Sequence, residues 1–131
     1  MTGETNLDEL IKSLSAVIVE GLYVFATVPS HQARLDIKPR MIFEEAEGTT
    51  YILLKSEAEA HGLSFEFPCR MITLNIHSSL EAVGFMARIA TELAKHDMGV
   101  NPVSGFFHDH LFVPDGREND AMNALEAMSK I

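Results

Sequence analysis

One seven-residue stretch in the second half of the chain, Met71 to His77, alternates between apolar and polar side chains from Ile72 onward. From Met71 to His77, the apolar residues Ile72, Leu74 and Ile76 point one way, and the residues between them point the other. A period of two residues is that of a β-strand with one buried face and one polar face. The stretch therefore predicts a half-buried strand.

The residues after this strand carry the pattern of a helix N-terminus. Ser78 and Glu81 form an S-x-x-E capping box, and apolar residues then recur at three- and four-residue spacing to about His96. Further strands are predicted at 100–104 and 106–113, followed by a helix that Asp115 and Glu118 cap, with Ala121, Ala124, Leu125 and Met128 on one stripe. Residues 70–131 thus have the ferredoxin-like order of elements without its last strand.

The first half of the chain predicts a similar but shorter series of elements. These are a helix at 7–14 with Asn6 as N-cap, strands at 16–19 and 22–28, a hairpin of 41–45 with 50–55, and a short helix that Ser56 and Glu59 cap and that ends near Gly62. No linker-like stretch separates the halves. We therefore predict an α+β fold with two subdomains, 1–69 and 70–131, in one compact unit.

Composition narrows the classes of protein to consider. The 131 residues are 47% apolar, enough for a core, and 10 basic against 19 acidic residues give a net charge of −9. An acidic chain repels phosphate backbones, so we expect no nucleic-acid partner. The longest apolar run, residues 22–26, is far shorter than a membrane span, and the polar N-terminal residues predict no secretory or transit peptide. We therefore expect a cytoplasmic protein that does not bind membranes.

His108 and His110 form an H-x-H pair. On a strand at 106–113 both imidazoles would project from one face, roughly 6.5–7 Å apart, and could serve as two metal ligands, with His77 as a third if the fold brings it near. Asp109 would point to the opposite face, and no third ligand clusters with the pair in the sequence. We interpret both histidines as structural and predict no metal.

The sequence offers little support for an enzyme. Cys69 is the only cysteine, which excludes an internal disulfide and a multi-cysteine metal site. No base or oxyanion hole can be assigned near it, and the chain has no G-x-S-x-G, Walker A or G-x-G-x-x-G motif. We therefore predict no catalytic activity and no cofactor.

The junction between the strand and the helix has the strongest features of a binding site. A helix that starts at Ser79–Val83 would present free backbone N–H groups and the positive end of its dipole, which suit a carboxylate. Gly84, inside the predicted helix, would let a ligand or another backbone approach closely. From spacing alone, tight packing of helix on sheet is the favoured interpretation of this glycine.

Residues 71–101 around this junction resemble an ACT domain, a small ferredoxin-like module that regulates amino-acid metabolism. Nearly the whole chain resembles a bacterial family of free-standing ACT-like proteins, in the phrases Phe65-Glu-Phe-Pro-Cys-Arg-Met-Ile-Thr-Leu, His77-Ser-Ser-Leu-Glu-Ala-Val-Gly-Phe and Gly105-Phe-Phe-His-Asp-His-Leu-Phe-Val-Pro. The resemblance implies a tandem of two ACT-like subdomains, of which the N-terminal one is abbreviated.

The resemblance also implies a site and a function. ACT modules bind an amino acid or a similar metabolite, and by position the ligand-binding residues here would be His77, Ser78, Ser79, Leu80, Val83, Gly84, Asn101 and Val103. The ligand carboxylate would accept N–H bonds at 79–83, and its ammonium would meet carbonyls near Asn101. We expect a non-catalytic, amino-acid-binding regulatory protein that forms a homodimer or higher homo-oligomer. The alternative is a ligand-free assembly module that docks an enzyme or transporter.

Overall fold

The computed structural model describes residues 6–32, 36–76 and 78–130. Along these residues the helices and strands are α1 (Leu7–Lys12), β1 (Ala16–Val28), β2 (Met41–Glu45), β3 (Gly48–Leu54), α2 (Lys55–Ala60), β4 (Phe65–Leu74), α3 (Phe85–Ala94), β5 (Asn101–Ser104), β6 (Asp109–Pro114) and α4 (Glu118–Ser129). A short 3-10 helix, Ser30–Gln32, follows β1. None of the helices in this part of the chain is long and apolar enough to cross a membrane.

The chain divides into two compact units. The central unit is Gly21–Cys69, and the terminal unit joins Met1–Glu20 to Arg70–Ile131. The boundaries fall inside β1 and β4. The predicted division into subdomains 1–69 and 70–131 stays a prediction.

In the terminal unit, three helices bury one face of the strands in the order β1-β4-β6-β5. Asn6 caps α1 as predicted, since its Oδ1 accepts a hydrogen bond from the Glu9 N–H at 3.1 Å. The predicted stripe of α4 is also confirmed. The core consists of buried residues from α1, α3, α4 and the strands, among them Leu10, Ile72, Leu74, Ile89, Leu93, Leu111, Val113, Ala121, Ala124, Leu125 and Met128.

In the central unit, the predicted hairpin is confirmed as β2 and β3, which pair antiparallel in the order β2-β3-β1-β4. Its turn depends on Gly48, with φ of 157°, because a Cβ there would lie 2.7 Å from the Val28 carbonyl oxygen. The helix α2 covers one face of these strands and packs Ala58 into their core. That core contains Val24, Ala26, Val28, Ile37, Tyr51, Leu53 and Ala58.

Several predicted elements differ in the structure, including the predicted cap of α4, whose N-cap residue is Arg117 and has no side-chain cap bond. Residues 16–28 form one strand, not two, because Gly21 at φ 126° lets the backbone continue through the predicted break. The helix α2 begins after Leu54 without a side-chain cap, since Glu59 bonds instead to the Lys55 Nζ at 3.0 Å. Residues 106–108 lie outside the last strand, in a tight loop where the Gly105 N–H donates to the His108 carbonyl at 2.9 Å.

The most consequential difference is the start of α3, which is Phe85 and not the predicted 78–81. Ser79 holds a local turn instead: its Oγ accepts from the Glu81 N–H, and its carbonyl accepts from the Ala82 N–H, both at 3.0 Å. Gly84 then takes a left-handed conformation, with φ of 88°, as the N-cap residue. Residues 78–84 are therefore a loop that precedes the helix.

Candidate functional site

A small cleft in the terminal unit lies between this loop, the first turn of α3 and the β5–β6 hairpin. We call it the α3 cleft; it has a volume of about 130 Å³ and is lined by Ser78, Ser79, Leu80, Ala82, Phe85, Met86, Ser104 and Asp109. An engineered protein cavity of about 150 Å³ holds benzene. The α3 cleft is therefore suited to a ligand of about six non-hydrogen atoms.

Asp109 supplies the α3 cleft with a buried carboxyl group. It is the first residue of β6, lies opposite Ser104 of β5, and is only 8% exposed. Its Oδ2 accepts a hydrogen bond from the Ser78 Oγ at 3.1 Å. Within the described ranges, no lysine, arginine or histidine forms an ion pair with it. A carboxylate removed from water and not paired with a cation is a strong acceptor for a positively charged group.

The first turn of α3 supplies groups of the opposite character. The first helical hydrogen bond runs from the Arg88 N–H to the Gly84 carbonyl, at 3.0 Å. The N–H groups of residues 85–87 therefore have no acceptor within the helix, and the N-cap adds no side-chain bond. Phe85 and Met86 of this turn line the cleft. Such N–H groups, with the positive end of the helix dipole, favour a carboxylate.

The structure brings only part of the predicted site together. Ser78, Ser79 and Leu80 line the α3 cleft. Gly84 lies instead in a neighbouring shallow groove, where a Cβ would be 3.6 Å from the Leu7 Cδ2.

The other predicted residues lie elsewhere. Val83 is 84% exposed, and Asn101 and Val103 pair with Phe112 and His110 on the β5–β6 hairpin; none of the three lines the cleft. His77 lies outside the described residues. The set as a whole stays a prediction.

Asp109 and Ser104 were not predicted as site residues. Asp109 follows from the alternation of β6, because it shares a face with Leu111 and Val113, which pack in the core under the helices. Ser104 then follows from the register of the hairpin, in which it is the partner of Asp109. The strand pattern thus indicates the side of the sheet on which Asp109 lies. Its partner Ser104 can be identified only once the register of the β5–β6 hairpin is known.

His110 lies on β6 and His108 lies in the loop before it, and each ring has a hydrogen-bond partner in residues 73–76. The His110 Nδ1 is 3.0 Å from the Thr73 Oγ1, and the His108 Nδ1 is 3.4 Å from the Ile76 carbonyl. Their ring centroids are 6.5 Å apart, with the rings at 90°. In the parts of the chain that the structure describes, no three His, Cys, Asp or Glu side chains cluster as metal ligands would. Cys69 is buried, and its Sγ donates to the Tyr23 carbonyl at 3.4 Å.

Comparisons with known proteins identify relatives of the chain. Residues 2–70 and residues 66–127 each match a model of the ACT domain family. A solved structure from Vibrio cholerae, of a protein of unknown function and possible transport protein, is 36% identical, with a TM-score of 0.84. The match covers 94% of this chain and 95% of that one. No curated protein matches.

Two more distant solved structures are similar in fold alone. An Agrobacterium tumefaciens protein is 16% identical over 88% of this chain and 89% of that one, with a TM-score of 0.76. The ligand-free regulatory subunit of aspartate kinase from Thermus thermophilus is 8% identical over 87% of this chain and 97% of that one, with a TM-score of 0.65.

Proposed function

Because the chain belongs to the ACT domain family, whose modules are typically regulatory and bind small ligands, we propose that it is a regulatory protein that binds a small amino acid in the α3 cleft. The observation that carries the proposal is the position of the buried Asp109 carboxyl group in the same cleft as the first turn of α3. An amino acid has a negative carboxylate that suits the N–H groups of this turn and a positive ammonium that suits Asp109.

The ligand's two charged groups have separate partners in this proposal. Its carboxylate accepts from the N–H groups of Phe85 and Met86, and its ammonium donates to Asp109. This replaces the hypothesis that the ammonium meets carbonyls near Asn101, which is exposed and outside the lining. The volume of about 130 Å³ favours side chains no larger than those of alanine or serine.

The protein would act without catalysis of its own. A ligand shifts an equilibrium only by as much as it binds one state better than another. The loop 78–84 supplies Ser78, Ser79, Leu80 and Ala82 to the cleft, so bound ligand would hold this loop in one conformation. The ordered loop would then present a changed surface to a partner protein or to a second copy of the chain.

A thermal-shift screen of the twenty amino acids tests the proposed function. A ligand at about 100 times its Kd adds about 2.7 kcal/mol to the free energy of unfolding, which raises the Tm of a chain this size by several degrees. We expect a shift with one or more small amino acids and none with the aromatic ones.

Analogues that lack one charged group are the control for this screen. Propionate and ethylamine each keep only one of the two charges of alanine, so neither should reproduce the shift. If no amino acid raises the Tm, or if propionate raises it as much as alanine does, the proposed function is wrong.

The second candidate is an assembly module, and β2 favours it. This strand ends the strand order of the central unit, and Ile42 and Phe43 on it are 56% and 62% exposed. The strand begins with three apolar residues and has no proline or lysine, so its unpaired backbone groups can pair with another strand. The partner we propose is β2 of a second copy, which would give a homodimer.

Light scattering on a sizing column tests this assembly. We expect a dimer for the unaltered protein and a monomer for Ile42→Lys, because a lysine on an edge strand opposes pairing. Asn101→Lys on β5, an exposed residue of another short strand, is the matched control and should leave the dimer intact. A monomeric unaltered protein would refute the β2 pairing.

A further inference from the structure

We propose that the central unit holds a second binding site, for an organic cation with an apolar body. The site is a groove of about 730 Å³, which we call the β-face groove, and its lining includes Phe25, Met41, Phe43 and Thr50. Small-molecule sites typically measure about 300–1,000 Å³. The groove lies in a different unit from the α3 cleft, so this proposal goes beyond the amino-acid ligand.

The strand register shows how the floor of the groove is built. Phe43 of β2 pairs with Thr50 of β3, and Thr50 pairs in turn with Thr27 of β1. In the next row, Met41 and Phe25 both pair with Ile52. Directly paired residues and residues two apart share one face of a sheet, so both rows belong to the same face.

This face is the one that α2 leaves uncovered. The side chains in contact with α2 come from the alternate positions, including Val24, Tyr51 and Leu53. Phe25 packs against Phe67 in an edge-to-face arrangement, with ring centroids 5.9 Å apart. The groove thus has an apolar floor with one ring held in place, and Phe43, 62% exposed, as a wall.

Two carboxylates give the groove its charge. Glu45 follows Phe43 by two residues on β2, and Glu66 lies near the start of β4; both line the groove. The Thr50 hydroxyl donates a hydrogen bond to Glu45.

The charge of the groove depends on whether basic side chains pair with these two carboxylates. Among the residues that the structure describes, no basic side chain forms an ion pair with Glu45 or Glu66. Lys55 pairs with Glu59 at 3.0 Å, and the Arg40 Nε donates to the Tyr23 hydroxyl at 3.1 Å. Lys55 also lies 5.8 Å from the centroid of the Phe65 ring, which lines the groove, but its ion pair is with Glu59. The groove therefore presents two carboxylates that have no ion-pair partner among the described residues.

Charge complementarity identifies the occupant. An ammonium group is attracted by both carboxylates and by the face of an aromatic ring, while an apolar body covers Phe25 and Met41. A carboxylate ligand would be repelled. A second copy of the chain is also disfavoured on this face, because a two-fold interface places each patch against itself and would bring four carboxylates together. The geometry points to a monoamine with an aromatic or aliphatic body.

Calorimetric titration with phenethylamine is the direct test of the β-face groove. We expect saturable binding of phenethylamine, much weaker binding of ethylamine, which lacks the apolar body, and none of 3-phenylpropionate, which carries the opposite charge. The double variant Glu45→Gln/Glu66→Gln should bind phenethylamine about tenfold more weakly, the scale expected for two partly exposed ion pairs.

The matched control is Glu44→Gln/Glu47→Gln, which removes the same charge from exposed residues outside the groove lining. It should bind phenethylamine as the unaltered protein does, and thermal melts check that both variants fold. Equal weakening in the two double variants would mean attraction to overall charge only and would overturn the proposal. The proposal would also be overturned if the titration with phenethylamine gave no saturable heat. It would likewise be overturned if light scattering showed that phenethylamine competes with self-association of the chain.

Discussion

Leu111→Ala is expected to lower the free energy of unfolding of the terminal unit by about 3 kcal/mol, within the usual range of about 2–5 for such changes. Leu111 lies on β6, is 0% exposed, and belongs to the core cluster that includes Ile72 and Ile89. Its removal would leave a cavity that neighbours on both a strand and helices can fill only in part. Urea unfolding followed by far-ultraviolet circular dichroism measures the change.

Leu80→Ala is the matched control for this prediction, because it makes the same chemical change where the side chain is 68% exposed. We expect its free energy of unfolding to stay within about 0.5 kcal/mol of the unaltered value. If the two variants lose the same stability, the core does not lie on the helix-covered side of β6. If Leu111→Ala changes the denaturant slope as well, either the denatured state has changed in compactness or the units do not unfold in one cooperative step.

The elements that the sequence predicted best are those whose pattern lies within their own residues. The stripe of α4 and the β2–β3 hairpin are confirmed, as is the Asn6 cap of α1. The α+β, ferredoxin-like fold of two ACT-like repeats is confirmed by the two family matches and by the similar solved structures. In each of these cases, local chemistry and the tertiary fold favour the same structure.

The predicted start of α3 is wrong because Ser78 has a hydrogen-bond partner far away in the sequence. The Ser78 hydroxyl, which a capping box would use within the helix, donates instead to Asp109, a residue 31 positions away. Ser79 holds the turn that follows. The capping pattern therefore correctly indicates that these serines form hydrogen bonds. The partner of Ser78, however, is a side chain from a distant strand and not the backbone of α3.

The candidate site was harder to predict than the fold for the same reason. Ser78 and Ser79 stand next to each other in the sequence and were predicted together. The alternation of the strand gives the side on which Asp109 lies, but only the pairing of β6 with its neighbours brings it to these serines. Asn101 and Val103 were carried over by position from the family, and they lie outside the cleft lining.

Asp109→Asn is expected to weaken binding of the amino acid by roughly 10- to 150-fold, since a hydrogen bond to a charged group contributes about 1.5–3 kcal/mol. The substitution keeps the size of the side chain and an oxygen that can accept from the Ser78 hydroxyl, so it removes only the charge that faces the ammonium. Titration calorimetry with the amino acid that gives the largest thermal shift measures the effect.

Asp97→Asn is the matched control for the lost charge. Asp97 is exposed, lies in the same unit, and has a φ of 56°, a conformation that asparagine tolerates well. We expect this variant to bind the amino acid with an unchanged Kd. If Asp109→Asn also binds the amino acid with an unchanged Kd, the ammonium does not lie against Asp109. This conclusion would hold even if an amino acid had raised the Tm in the thermal-shift screen.

The stability of the unliganded Asp109→Asn variant separates a binding role from a structural one. The amide oxygen of asparagine can accept from the Ser78 hydroxyl as the carboxylate does, so the substitution keeps the one side-chain hydrogen bond that the structure gives this residue. The Tm of the free variant should therefore equal that of the unaltered protein while its affinity falls. A lower Tm would mean that the charge stabilises the loop 78–84 itself, and the weaker binding would then follow from a disordered site and not from a missing partner for the ammonium.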